Sequence, residues 1–108
     1  DHFVTGRSTR DAIFPFARDH LSFPEHLSEG LEPHKVGEVY LWGSQFPDHF
    51  VDVTDTFGIK FDALHCHASQ IKRPRTELEA RARAAHVEAG KNIGVELAES
   101  FKRIVLPS

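Results

Sequence analysis

The chain has 108 residues, of which 40% are hydrophobic and 27% are charged, and its formal net charge is -3 at pH 7. This acidic balance argues against a general nucleic-acid-binding protein, which usually carries an excess of Lys and Arg. No apolar run approaches the roughly 20 residues that span a bilayer, so we expect no membrane partner. Cys66 is the only cysteine. An internal disulfide is therefore impossible, and we predict a cytoplasmic location.

The first half of the chain predicts a helix, a loop and a strand. Val4, Ser8 and Ala12 recur at every fourth position, which predicts a helix over residues 3–14. Pro15 is expected to end or kink this helix. The stretch "HLSFPEHLSEGLEPH" holds two Pro, a Gly and two Ser and is typical of a loop. The following "KVGEVYLWG" is rich in β-branched and aromatic residues, which predicts a largely buried strand.

The second half predicts a strand, two helices and a last strand. "FVDVT" is a short strand, after which Thr54 is expected to cap a helix. That helix has one apolar stripe at i, i+4, i+7 and i+11, made of Phe57, Phe61, Leu64 and Ala68. A capping box of Thr76 and Glu79 opens a second helix that stops at Gly94. "VELAESFKRIVL" is the last strand. The order α, β, β, α, α, β predicts a layered α/β fold.

Three short motifs carry candidate chemistry. Eight histidines are present, which raises the alternative of a small His-rich metal-binding protein. His65 and His67 stand two residues apart, so on a helix they would point to different faces, and we expect no local metal site there. Cys66, near the apolar stripe, is expected to be a small buried side chain. The basic "KRPR" is expected to be a solvated turn.

The tetrapeptide "DHFV" occurs twice, at residues 1–4 and 48–51. The first copy directly precedes a predicted helix, where ligands of α/β folds often bind. A carboxylate beside a histidine orients an imidazole or a bound water. Asp1 and His2 are therefore candidate site residues.

Taken together, the segments resemble the C-terminal half of the PIG-L/LmbE-like deacetylases. The resemblance is carried by "DHFVTGR", "EGLEPHKVGEVYLWGS", "PDHFVDVTDTF", "KFDALHCHASQ" and "AGKNIGVELAESFKRI". It implies a partial Rossmann-like α/β fold, with residues 1–108 forming a single segment, the C-terminal part of a deacetylase domain. It also implies an enzyme that uses a divalent metal, usually zinc, to hydrolyse N-acyl groups on amino sugars or their conjugates.

The resemblance assigns roles to four residues. The second metal motif of the family reads His-Pro-Asp-His, so His2 would be a zinc ligand and Asp1 the catalytic-site carboxylate that orients the leading His. By the same match, His67 or Gln70 would return toward the cleft and bind substrate. Asp48 and His49 fall in a variable turn, and the second "DHFV" is expected to be a coincidence.

Part of the family pattern is missing from these 108 residues. The leading His and Pro are absent, as is the Ala-His-Pro-Asp-Asp motif that supplies two further ligands and the general base. A catalytic zinc needs three protein ligands, so we expect this segment to bind zinc weakly and to be inactive alone. Its expected partners are the missing N-terminal half or a second copy, through an exposed sheet, and a small amino-sugar substrate. The alternative is a non-catalytic α/β interaction module.

Overall fold

The computed structural model describes residues 1–107. The chain divides into two compact units. The first comprises Asp1–Val39 together with the chain end from Ile104, and the second comprises Tyr40–Arg103. The predicted α/β class is confirmed, and the predicted order of elements holds with one short helix added. The elements are α1 (His2–Asp11), a π-helical turn (Ala12–Phe16), α2 (Pro24–Ser28), β1 (Glu38–Trp42), β2 (His49–Asp52), α3 (Phe57–His65), α4 (Arg75–Gly90) and β3 (Ala98–Val105).

In the first unit, Pro15 interrupts the helix as predicted. Phe14, the residue before it, leaves the helical region with φ −152° and ψ 126°, which is the extended conformation that a following proline favours. The prediction of an uninterrupted loop over 20–34 is wrong, because α2 forms within it. Pro24 stands at the start of α2, where a missing N–H costs nothing and the fixed φ suits a helix.

The three strands form one sheet in the order β1-β3-β2, so the last strand of the chain is the central one. Strand β2 pairs with β3 in antiparallel fashion. The register places His49 opposite Phe101 and Asp52 opposite Ala98. In the part of the chain that the structure describes, the sheet thus has β1 and β2 as its two edges.

Strand β1 forms where predicted, but it is not largely buried. Tyr40 and Leu41 are 43% and 46% exposed, and Trp42 is 71% exposed. The apolar composition predicts burial only if a second layer covers the strand, whereas β1 is an edge strand with just one paired neighbour. Composition alone does not report that position.

The core of the second unit joins α3, α4 and the residue that precedes β3. Phe57, Phe61 and Leu97 are its buried members, at 5%, 2% and 2% exposure. The partly buried residues packed against them are Val53, Leu64, Leu78 and Ala82. The predicted stripe is therefore correct for its first three members. Ala68 lies beyond the end of α3 and is exposed.

Thr54 was predicted to cap α3, and this prediction is wrong: the residue before the helix is Thr56. The hydroxyl of Thr54 donates to Asp52 Oδ1 at 2.7 Å and accepts from the N–H of Leu97 at 3.2 Å. A short polar side chain at a strand end competes well for such local backbone partners. Thr54 therefore ties the end of β2 to the segment that enters β3.

Helix α4 begins one residue before the predicted cap, at Arg75, and no side chain caps it. Glu79 accepts a hydrogen bond from Arg75 Nε at 2.6 Å instead of reaching back to Thr76. Arg75 also pairs with Asp62 and donates to the carbonyl of Gly58 at 2.9 Å. Hydrogen bonds to Glu79 and then Asp62 raise the pKa of the guanidinium above its usual range. The basic segment "KRPR" was expected to be a solvated turn. Its last residue, Arg75, instead links α4 to α3.

Candidate functional site

Asp1 and His2 stand at the beginning of α1. Asp1 is the N-cap residue, and its backbone carbonyl accepts from the N–H of Thr5 at 2.9 Å. Its carboxylate makes no capping hydrogen bond, and both residues are exposed. A first-turn position brings the carboxylate and the imidazole to one helix terminus, where anionic groups are favoured. Their predicted roles, orienting carboxylate and metal ligand, stay predictions.

The His65-Cys66-His67 motif forms no chelating cluster. His65 Nδ1 donates to the carbonyl of Phe61 at 2.8 Å, which directs its ring along the helix. Cys66 is exposed, and its thiol donates to the carbonyl of Asp62 at 3.4 Å, so the prediction of a buried thiol is wrong. The thiol sits at the end of α3, away from the stripe that Phe61 and Leu64 follow. Over residues 1–107, no group of three His, Cys, Asp or Glu side chains is placed to hold a metal ion.

His67 and Gln70 lie in the turn that follows α3. Both are exposed. The carbonyl of His67 accepts from the N–H groups of Gln70 and Ile71 at 3.0 and 2.9 Å, so the turn is closed by its own backbone. The amide of Gln70 donates to Ser69 Oγ at 3.5 Å. These two candidates belong to the second unit, whereas Asp1 and His2 belong to the first, and a substrate role for them stays a prediction.

In the second "DHFV", His49 to Val51 lie in strand β2 and Asp48 directly precedes it, whereas Asp48 and His49 were predicted to lie in a turn. His49 is the first residue of β2, and its ring packs against that of Tyr40 with centroids 5.2 Å apart. The carboxylate of Asp48 accepts from the N–H of Arg103 at 2.9 Å and from Lys102 Nζ at 2.6 Å. These bonds, the one from Arg103 first, hold the pKa of Asp48 below its usual 3.8. Asp48 therefore has a structural role at the β2–β3 junction.

This arrangement predicts an acid-dependent contribution to stability. Because folding lowers the pKa of Asp48, its contribution is complete above pH 3.8 and is lost as the pH falls through the lower folded value. We expect Asp48→Asn to flatten the decline of the unfolding free energy below about pH 4, measured by urea unfolding. Lys102→Met is the matched control and should flatten it less, since the Arg103 bond remains. An unchanged acid profile in Asp48→Asn would contradict the assignment.

The structure brings together three residues that sequence reasoning missed: Lys60 from α3, His86 from α4 and Glu99 from β3. Lys60 Nζ donates to Glu99 Oε1 at 2.5 Å and lies 3.2 Å from His86 Nε2. His86 Nε2 is 3.6 Å from the same carboxylate oxygen. The bond from Lys60, and to a lesser extent the proximity of His86, lower the pKa of Glu99. Their wide separation in sequence hid this cluster.

The cluster lines an open cleft of the second unit. Its lining includes three small residues, Ala85, Ala89 and the fully buried Ala98, and Trp42 and Phe101 supply aromatic surface. A mixture of aromatic surface with a few convergent polar groups is typical of ligand clefts.

None of the helices over residues 1–107 is both long and apolar enough to cross a membrane.

The chain is similar to proteins of known activity. It is 32% identical over 77 residues to the diacetylchitobiose deacetylase of Thermococcus kodakarensis, a match that covers 70% of this chain and 29% of that protein. The solved structure of the N,N'-diacetylchitobiose deacetylase from Pyrococcus horikoshii, complexed with its inhibitor MPG, matches with a TM-score of 0.66 and 28% sequence identity. That match covers 83% of this chain and 34% of the other. No protein-family model matches the chain.

These similarities confirm the predicted resemblance. By sequence and by structure, the homologues that the chain matches are diacetylchitobiose deacetylases of the PIG-L/LmbE-like family. The chain spans about a third of the length of the relatives that it matches.

Proposed function

We propose that this chain is part of a metal-dependent N-deacetylase that hydrolyses N-acetyl groups on amino sugars or their conjugates. The observation that carries the proposal is the 32% identity to a diacetylchitobiose deacetylase over 70% of the chain. The reaction class is amide hydrolysis: water adds to the acetyl carbonyl, the C–N bond breaks, and acetate and a free amine leave.

The metal would be zinc, and this chain would supply only part of its site. When bound, such a metal polarises the acyl carbonyl and lowers the pKa of water. The residues described hold no three-ligand group, and a catalytic zinc needs about three protein ligands, so the remaining ligands would come from outside these 108 residues. We therefore propose that the segment alone binds zinc weakly and is inactive. We also propose a cytoplasmic location, with which the presence of a single cysteine is compatible.

Within this site, His2 would bind the metal and Asp1 would hold the neighbouring histidine of the motif in its ligating orientation. Their place at the first turn of α1 supports this division, since the helix fixes both backbones. His67 and Gln70 would contact the sugar from the turn after α3. Exposure of both side chains leaves their polar atoms accessible to a ligand.

The experiment uses the chain joined behind the N-terminal part of the Thermococcus kodakarensis relative. We expect His2→Ala to abolish acetate release from diacetylchitobiose and to lower the zinc content, because two ligands neither hold zinc firmly nor activate its water. Asp1→Asn should keep the zinc and slow turnover about 10–100-fold, the usual effect of losing a carboxylate that orients a ligand. Acetate release and metal analysis measure both effects.

His49→Ala is the matched control, since it removes the histidine of the other "DHFV". It should leave zinc content and rate unchanged, because His49 is a strand residue packed on Tyr40. If His49→Ala removed the metal while His2→Ala kept it, the assignment of the two copies would be reversed.

We propose further that β1 carries the surface for the partner, either the remaining part of the domain or a second copy. The exposed Leu41 and Trp42 on an edge strand support this, since exposed apolar edges pair with other chains. We expect light scattering of the chain alone to show a mass that rises with concentration, and Leu41→Lys to reduce that rise. A constant monomer mass at all concentrations would contradict association of copies.

A further inference from the structure

The cleft that Lys60, His86 and Glu99 line has a volume of about 330 Å³. This volume lies at the lower end of the roughly 300–1,000 Å³ that ligand pockets have, so the cleft suits a small ligand. All of its lining residues lie between Trp42 and Phe101, inside the second unit. The cleft is open to solvent, and a ligand can therefore enter it without any movement of the chain.

Lys60 and Glu99 form a fixed polar pair on the wall of the cleft. Lys60 Nζ donates to Glu99 Oε1 at 2.5 Å and lies 3.2 Å from His86 Nε2. The imidazole is itself held in place, because His86 Nδ1 lies 2.8 Å from the carbonyl of Ala82. The side chains of Lys60 and Glu99 are still 44% and 31% exposed. An ammonium has three donors and a carboxylate accepts at about four positions, so the pair keeps hydrogen-bonding capacity for a ligand.

The opposite charges of this pair favour a neutral ligand that carries hydroxyl groups. An anionic ligand would be repelled by Glu99 and a cationic ligand by Lys60, and either would compete with the ion pair. A hydroxyl both accepts and donates, so it can accept from Lys60 and donate to Glu99 while the pair persists. Hydrogen bonds with an ionised partner are stronger than those between neutral groups, which makes this pair a good site for a hydroxyl.

The aromatic part of the lining favours a ligand that also has an apolar face. Trp42 is 71% exposed, although its indole has just one polar group, the N–H. Phe101 is half-buried, and its ring packs edge-on against Tyr40 at a centroid distance of 6.0 Å. A ligand that covers Trp42 with apolar atoms removes this surface from water, which is favourable. A sugar ring has both properties, since its C–H groups form an apolar face and its hydroxyls form a polar rim.

We propose that this cleft binds a neutral sugar ring, with the C–H face of the sugar on Trp42 and its hydroxyls between Lys60 and Glu99. The choice of a sugar among hydroxyl-bearing ligands rests on the proposed function, whose substrates are amino sugars. None of the four residues to which the family resemblance assigns a role lines the cleft. Leu41, whose replacement tests association, does not line it either.

Binding to the 108-residue chain tests the proposal, with diacetylchitobiose as the probe and a chelator present to remove metal. We expect saturable binding by saturation-transfer NMR, which observes the sugar and therefore works for every variant. Glu99→Gln should weaken binding about tenfold, because a charge-assisted hydrogen bond is lost. Trp42→Ala should weaken it to a similar extent. Glu88→Gln is the matched control and should have no effect, since Glu88 pairs with Lys91 at 2.6 Å outside the cleft.

Filling the cleft gives a second test that removes no contact. Ala85 lines the cleft from an exposed position of α4, and its neighbour Ala84 is equally exposed but does not line it. Leucine is a good helix former, so both Ala85→Leu and Ala84→Leu are expected to keep the fold. Ala85→Leu should abolish binding of diacetylchitobiose, and Ala84→Leu should leave it unchanged.

The charge of the sugar provides the last comparison. Chitobiose, in which both amines are free and protonated, should bind more weakly than neutral diacetylchitobiose because Lys60 repels it. Absence of saturable binding, equal binding by Ala85→Leu and Ala84→Leu, or tighter binding of chitobiose would overturn the proposal. The measurement needs no metal and follows no hydrolysis, so each of these results would leave the proposed deacetylation standing. Failure of acetate release in the fused protein would likewise leave this binding result unaffected.

Discussion

Replacing Phe61 by Ala is expected to destabilise the second unit by about 3–5 kcal/mol, the usual cost of deleting a buried aromatic ring. Phe61 is 2% exposed and packs edge-on against Phe57 at a centroid distance of 4.9 Å. It also belongs to the same cluster as Leu97. A small protein has a total stability of about 5–15 kcal/mol. We therefore expect a large decrease in the urea concentration at the unfolding midpoint, measured by circular dichroism.

Phe46→Ala is the matched control, because the same ring is deleted from a side chain that is 79% exposed. Surface changes of this kind usually stay within about 0.5 kcal/mol. Equal losses in Phe61→Ala and Phe46→Ala would mean that the cluster of Phe57, Phe61 and Leu97 is not the core of this unit.

Replacing Gly90 by Ala is expected to cost about 3 kcal/mol, at the upper end of the range for overpacked sites. A Cβ on Gly90 would lie 2.4 Å from the carbonyl oxygen of Val95 and 3.0 Å from that of Glu96. Both obstacles are backbone atoms, so no side chain rotation relieves the clash. The change must push the chain that enters β3 away from the end of α4, and chemical unfolding measures its cost.

Gly6→Ala is expected to have the opposite effect on stability, at another glycine that lies in a helix. Nothing lies within 4 Å of a Cβ built on Gly6, which stands inside α1. Alanine there should stabilise the helix by about 0.5–1 kcal/mol. A Gly90→Ala protein as stable as the unmodified one would show that the turn between α4 and β3 yields easily.

The sequence predicted those elements whose cause is local. The apolar spacing of Phe57, Phe61 and Leu64 was enough to place α3, and Pro15 was enough to interrupt the first helix. The ends of elements were predicted less well. Thr54 and Glu79 are both good capping residues, yet each has another partner. Thr54 bonds to Leu97, 43 residues away, and this tertiary partner outweighs a local preference of about 1 kcal/mol. Glu79 bonds instead to Arg75 within α4, four residues earlier.

The candidate site was predictable only where a resemblance covered it. Asp1 and His2 were assigned by their motif, whereas Lys60, His86 and Glu99 carry no motif. Lys60 is separated by 26 residues from His86 and by 39 from Glu99, and the three meet only because two helices and the central strand converge. The burial of β1 was mispredicted for a related reason, since a strand's place in its sheet depends on pairing and not on its own composition.

The central position of β3 has a consequence for how the protein is made. Strands β1 and β2 leave the ribosome first, yet each has β3 as its neighbour in the sheet, and β3 is translated last of the three. At about 5–20 residues per second, the nascent chain carries two strands without their partner for several seconds after the second of them emerges. During that interval their backbone groups and the aromatic side chains of β1 are open to other chains. A chaperone that binds during synthesis would protect β1 and β2 until β3 is made. A stop codon before Ala98 would leave the two strands exposed permanently.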